Sequence, residues 1–196
     1  MHRVLARFAS VLLFGLFATA GHAAIIQLSA DLSGLVEVQP NASPGTGFAF
    51  VEFDTLAETL HVSATFSGLI GTTTAAHIHC CTASPETGAA GVATMTPSFG
   101  GFPLGVTAGS FDQVYDMSQA SSWNAAFIAA NGGNVTGAEA ALAAGLSTYT
   151  AYFNIHSNVF PGGEIRGFLV PEPGSLALLA VGAVGLGFNL RRKASR

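Results

Sequence analysis

From Thr59 to Phe66 every second residue is apolar: Leu60, Val62, Ala64 and Phe66 alternate with Thr59, His61, Ser63 and Thr65. Successive side chains of a strand point to opposite faces, so this run predicts a β-strand with one face in a core and the other in water. Strand-like runs recur at Ile25–Asp31, Gly47–Phe53, Ala75–Cys80, Ser110–Tyr115, Thr148–His156 and Glu164–Val170, separated by clusters of Gly, Pro, Ser and Asn. Seven short strands predict a mainly β fold, a single antiparallel sandwich- or barrel-like domain, with Ile25–Asp31 as an edge strand. The period changes between Ser121 and Gly145. Trp123, Ala126, Phe127 and Ala130 fall at helical spacing, and Ala138 to Ala144 is rich in the best helix former, so one or two short helices are expected before the last strands. No internal repeat is visible.

Both ends depart from this pattern. Met1 to Ala23 carries Arg3 and Arg7, then the apolar run Val11 to Ala18, then small residues ending Gly21-His22-Ala23. That is the layout of a secretory signal peptide, residues 1–23, cut by signal peptidase after Ala23. At the other end Val170-Pro171-Glu172-Pro173-Gly174 precedes an uncharged stretch, Ser175 to Leu190, and the basic cluster Arg191-Arg192-Lys193 with Arg196. A helix over 175–190 would be about 24 Å long at 1.5 Å per residue, marginal for a bilayer core of roughly 30 Å. Its basic flank would stay cytoplasmic and leave residues 24–169 outside, in agreement with the signal peptide. The order of Pro-Glu-Pro word, apolar helix and terminal arginines in residues 170–196 closely resembles the PEP-CTERM sorting signal. The resemblance implies an inner-membrane intermediate, processing by an exosortase, and delivery to the outer surface or exopolysaccharide matrix of a Gram-negative bacterium. Two prolines around Glu172 hold that word extended, a form suited to a processing enzyme. A plain single-pass anchor that is never cut is the alternative.

Charge sharpens the division. Of seven basic residues only Arg166 lies between the two ends, against ten acids from Asp31 to Glu164, so the domain carries a charge of −9 where the whole chain carries −4. Such a domain is repelled by nucleic-acid phosphates. The lack of any lysine there also removes Schiff-base and phosphate-binding lysine chemistry. No Gly-X-Ser-X-Gly and no His-Glu-X-X-His word is present, so a side-chain nucleophile or a metalloprotease helix has no support and no enzyme activity is expected. Asp112 and Asp116 are read as solvated.

The words that remain are Ala76-His77-Ile78-His79, Tyr152-Phe153-Asn154-Ile155-His156-Ser157 and Phe160-Pro161-Gly162-Gly163-Glu164-Ile165-Arg166-Gly167, with Leu32-Ser33-Gly34 to Glu37-Val38 and Gly45 to Ala49 upstream. Together they resemble the CHRD domain, named after its occurrence in chordin, over essentially Ile25 to Leu169. The resemblance implies a β-rich extracellular module without a firmly assigned activity. The chain departs from the family where Gly-Pro often follows the histidine pair: it has Cys80-Cys81.

His77 and His79 are two apart on a strand, so their rings leave one face with Cα atoms about 6–7 Å apart, close enough to share a metal. If the strand ending at His156 lies alongside, three imidazoles could hold copper or zinc, with Glu164 or a Cys thiolate as fourth ligand. Equally, the histidines with Asn154 and a Glu164/Arg166 pair could form a hydrogen-bonded cluster that pins loops without any ion. His61, on a wet face, is expected to be uninvolved. Cys80 and Cys81 admit a vicinal disulfide, metal ligation or free thiols pairing between chains; adjacent Cα atoms, about 3.8 Å apart across a trans peptide, lie below the roughly 4.4–6.8 Å usual for a disulfide. The leading expectation is an exported, non-enzymatic surface or matrix protein linked to exopolysaccharide or biofilm. The alternative is a copper- or zinc-binding redox domain.

Overall fold

A computed structural model describes residues 25–172. The signal peptide, the 175–190 helix, Pro173 and Gly174 lie outside the described residues. All seven strand expectations correspond to strands: β1 (Ile25–Ser33), β2 (Thr46–Asp54), β3 (Thr59–Ser67), β4 (Thr73–His79), β5 (Gly109–Asp116), β6 (Tyr152–Ser157) and β7 (Ile165–Phe168). They form one curled antiparallel sheet, a half-barrel rather than two stacked layers, in the order β4-β6-β7-β1-β2-β3-β5. The run at Ile25 is not an edge strand. It pairs with β2 along its whole length, and its other side meets β7 at Ser33↔Arg166 and Val170 at Ser29.

The alternation read in the sequence is what buries the sheet's inner face. Leu60, Val62, Ala64 and Phe66 are all buried, as are Leu28, Ala30 and Leu32 of β1 and Ala49, Val51 and Phe53 of β2. Two short helices, α1 (Ala125–Ala130) and α2 (Val135–Ser147), complete that core through Phe127, Ala138, Leu142 and Leu146. Each begins at an asparagine whose side chain accepts from a first-turn amide, Asn124 from Ala126 and Asn134 from Gly137. The turn before α1 is fixed by Trp123, buried, whose indole N–H donates to the Met117 carbonyl at 2.8 Å. The last long run starts as a strand only at Tyr152, because Thr148 to Thr150 close α2 through bonds to the Ala144 and Gly145 carbonyls.

Edge strand β4 is covered rather than left open. The segment after it folds back, with Thr73 N–H on Val106 O, Phe99 N–H on Ala76 O and Ala93 N–H on Ile78 O. Covering an edge removes a template for pairing with other chains. It also lays the loop of residues 86–97 over the side chains β4 directs away from the core.

Candidate functional site

β4, β6 and β7 are buried on both faces, which is why their sequence runs lack clean alternation. Ala76, Ile78, Phe153, Ile155 and Ile165 enter the core. The opposite face carries His77 and His79 of β4, Tyr152, Asn154 and His156 of β6, and Arg166 and Phe168 of β7. Antiparallel register sets His79 opposite Tyr152, His77 opposite Asn154, and Asn154 in turn opposite Arg166. His156 stands opposite Ala75, diagonal to His77.

The structure brings His77, His79 and His156 together: one ring nitrogen from each lies within 4.8 Å of the others, and His79 Nε2 is 3.4 Å from His156 Nε2. The second nitrogen of every ring faces a backbone carbonyl. His77 Nε2 is 2.8 Å from Pro97 O, His79 Nδ1 2.9 Å from Ala90 O, and His156 Nδ1 3.0 Å from Pro161 O. A carbonyl only accepts, so those three nitrogens carry the hydrogens. In the neutral ring the remaining nitrogens, His77 Nδ1, His79 Nε2 and His156 Nε2, are bare lone pairs. All three imidazoles are held neutral. Burial pushes His77 down to about 4, the neighbouring His156 adding to it against the Pro97 carbonyl. Burial likewise takes His79 to about 4, partly opposed by the Ala90 carbonyl. His156 is lowered by burial against the Pro161 carbonyl.

Two bare nitrogens at 3.4 Å repel unless a cation or proton lies between, and the Nδ1 of the neighbouring His77 is buried without a partner. An outer carbonyl that fixes the tautomer and orientation of each ring is also the usual surrounding of a metal-bound histidine. The arrangement fits the three nitrogen donors of a copper or zinc ion.

Neither proposed fourth ligand joins them. Glu164 is buried and faces the other way: Oε1 accepts from the Ser43 hydroxyl and Ile70 N–H, Oε2 from Gly71 N–H. Burial pushes its carboxyl up, but hydrogen bonds from Ser157, Ser43, Ile70 and Gly71 outweigh it and hold the group below its ordinary value. Cys80 and Cys81 are joined by a disulfide, across a cis peptide bond, and the sulfurs pack on α2 at Gly145 and the Ala141 carbonyl.

The expected Glu164/Arg166 pair is also not made. The acid beside Arg166 is Glu37, with Nε 3.8 Å from Oε2, and the guanidinium donates to Val36 O and Gly88 O while lying 4.6 Å over the Tyr152 ring. Sequence reasoning missed Glu37 because it sits in an irregular stretch after the short 3-10 turn Gly34–Val36, where no period marks a buried residue. Burial raises its carboxyl to about 7 against Arg166, the Val38 N–H and the Asn154 side chain. Gly163, at φ +133°, lets the 158–163 loop close over this corner: a Cβ there would fall within 2.7 Å of Glu37 Oε1 and both Asn154 amide atoms. Among the described residues four buried side-chain N or O atoms lack a hydrogen bond, and three of them, Glu37 Oε1, His77 Nδ1 and Asn154 Oδ1, are on this one face. Folded proteins rarely leave such atoms unpaired, so their clustering marks the face as built for something else.

His61 stays outside the site, paired at 2.9 Å with exposed Asp112, which is therefore not simply solvated. Asp116 accepts from the Ser118 hydroxyl and N–H and from Gln119. Val170, Pro171 and Glu172 follow β7 at the rim of the sheet. Among the described residues no helix is long and apolar enough to cross a membrane.

The model of the CHRD domain matches residues 28–169, and that of the PEP-CTERM protein-sorting motif matches residues 169–193. No curated protein and no solved structure matches the chain.

Proposed function

For a chain that belongs to the CHRD family and carries a PEP-CTERM motif, we propose an exported protein of the bacterial surface or matrix whose domain holds one copper or zinc ion on His77, His79 and His156. The observation that carries the metal reading is the set of three rings, each with one nitrogen on a backbone carbonyl, gathered so that one nitrogen of each lies within 4.8 Å of the others. An ion would bind lone pairs that the carbonyl-anchored tautomers leave free of protons, and the carbonyls would hold the rings in place. We read the role as binding rather than turnover. A hydrogen-bonded cluster without an ion is disfavoured because it leaves the His79 and His156 lone pairs facing each other and His77 Nδ1 buried without a partner.

The PEP-CTERM motif marks an exported protein routed through the membrane to the cell surface. Our reading adds a Gram-negative host, removal of residues 1–23 by signal peptidase, a transient inner-membrane stage held by 175–190, exosortase processing near Val170-Pro171-Glu172-Pro173-Gly174, and association with exopolysaccharide. A fluorescent fusion should reach the surface, and replacing Pro171-Glu172-Pro173 by alanines should hold it in the inner membrane; an unchanged distribution counts against sorting. For the metal, elemental analysis of the reconstituted protein should find about one ion per chain, and His77→Ala with His79→Ala should abolish it. Absence of stoichiometric copper or zinc removes this reading.

A further inference from the structure

Three imidazoles leave at least one coordination position of copper or zinc to be filled from elsewhere. Among the described residues no carboxylate or thiolate joins the cluster. The donor set is neutral, so a divalent ion would keep its full charge and favour an anionic oxygen at that position.

His79 also forms part of the wall of a cavity of about 590 Å³, shared with Glu37, Tyr152, Asn154, Phe160 and Arg166. The carbonyl-bearing residues that anchor two of the rings, Ala90 and Pro161, line the same space. Glu37 and Asn154, only 7% and 2% exposed, each carry an oxygen without a hydrogen-bond donor, Glu37 Oε1 and Asn154 Oδ1. Both are acceptors. With an ion bound, the cavity would combine a cationic end beside His79 with two acceptor oxygens that lack donors, the Arg166 and Tyr152 hydrogens nearby being directed at the Val36, Gly88 and Ala90 carbonyls. Hydroxyl groups would complete both acceptors.

Resting on the metal reading above, we propose that this cavity binds a hydroxylated carboxylic acid of monosaccharide size, a sugar acid. Its carboxylate occupies the open metal position beside His79, and its hydroxyls donate to Glu37 Oε1 and Asn154 Oδ1. Acetate has the anion without the hydroxyls, and glucose the hydroxyls without the anion, so neither satisfies both ends.

The test uses the whole exported protein loaded with one equivalent of Cu(II). Glucuronate, acetate and glucose are titrated in turn, with the Cu(II) electron paramagnetic resonance spectrum and calorimetry as readouts. Glucuronate should shift the spectrum and bind at least about tenfold more tightly than acetate, while glucose leaves the spectrum unchanged. Val159, half exposed at the cavity wall, is neither a ring nor one of the residues whose carbonyls anchor the rings: Val159→Trp should keep the copper and lose the glucuronate. Glucuronate binding no tighter than acetate, or undiminished in Val159→Trp, overturns the cavity inference alone. Failure to take up either copper or zinc overturns the metal reading and, with it, the anchor on which this inference stands.

Discussion

Replacing Glu37 by Gln should make the metal-free protein more sensitive to acid, although it removes an acid from the core. Two sets of groups oppose each other there. His77 and His79 fall from 6.5 to about 4 on folding, so below pH 6.5 the unfolded chain takes up protons that the folded one refuses. Their contribution to stability is full above pH 6.5 and is lost as pH falls toward 4. Glu37 rises from 4.5 to about 7, so the folded chain is the one that holds its proton between those values. Its contribution is full below pH 4.5 and is lost as pH rises through 7. At pH 5.5 the unfolded state therefore carries about two extra protons on the two rings and the folded state about one on Glu37. From these three groups the net difference of about one proton corresponds to about 1.4 kcal/mol per pH unit, reduced by solvent screening where they are incompletely buried. Glutamine cannot titrate, so the difference grows by about one proton and the slope steepens by up to about 1.4 kcal/mol per pH unit. His156, also lowered, acts in the same direction as the other two rings. Urea unfolding in chelator at pH 5.0, 5.5, 6.0 and 6.5 would measure the slope. A Glu37→Gln slope equal to or shallower than that of the parent would refute the reasoning.

Other substitutions separate competing effects. Gly145→Ala, which in an open helix would stabilise by about 1 kcal/mol, should instead destabilise by about 1–3 kcal/mol in a urea melt, because the new methyl collides with the Cys80 and Cys81 sulfurs. Phe53→Ala, at a side chain with no exposure, should cost about 3–5 kcal/mol by the same assay. His61→Ala removes a solvent-screened pair with Asp112 and an edge contact with the Phe50 ring and should change stability by less than about 1 kcal/mol, leaving metal content unaltered by elemental analysis.

The sheet was legible where one face is wet. Around Leu60 to Phe66 the alternation alone assigns the strand and its inner face, and the registers of β1, β2, β3 and β5 follow the same logic. It was less legible where both faces are covered. In β4, β6 and β7 burial of the second face under loops erases the alternation, and strand order, which decides that β1 is interior, depends on pairings distant in sequence. The spacing of His77 and His79 exposed half of the histidine set, but the convergence of His156 required knowing that β6 lies beside β4. Glu37 could not have been paired with Arg166 from sequence, since 129 positions and no periodic signal separate them. Glu164 misled for the opposite reason: two residues from Arg166 in a strand-like run, it turns instead to the amides of Ile70 and Gly71 and the hydroxyl of Ser43.

The central claim is that three specific imidazoles share one ion. Nitrogen hyperfine splitting in the Cu(II) resonance of the loaded protein, recorded with natural and with 15N-labelled histidine, tests it most directly. The account predicts about one copper per chain with splittings from three histidine nitrogens, all changed by the label, and a loss of one in each of His77→Ala, His79→Ala and His156→Ala. Copper bound with no histidine nitrogen, or a spectrum indifferent to all three substitutions, would contradict it.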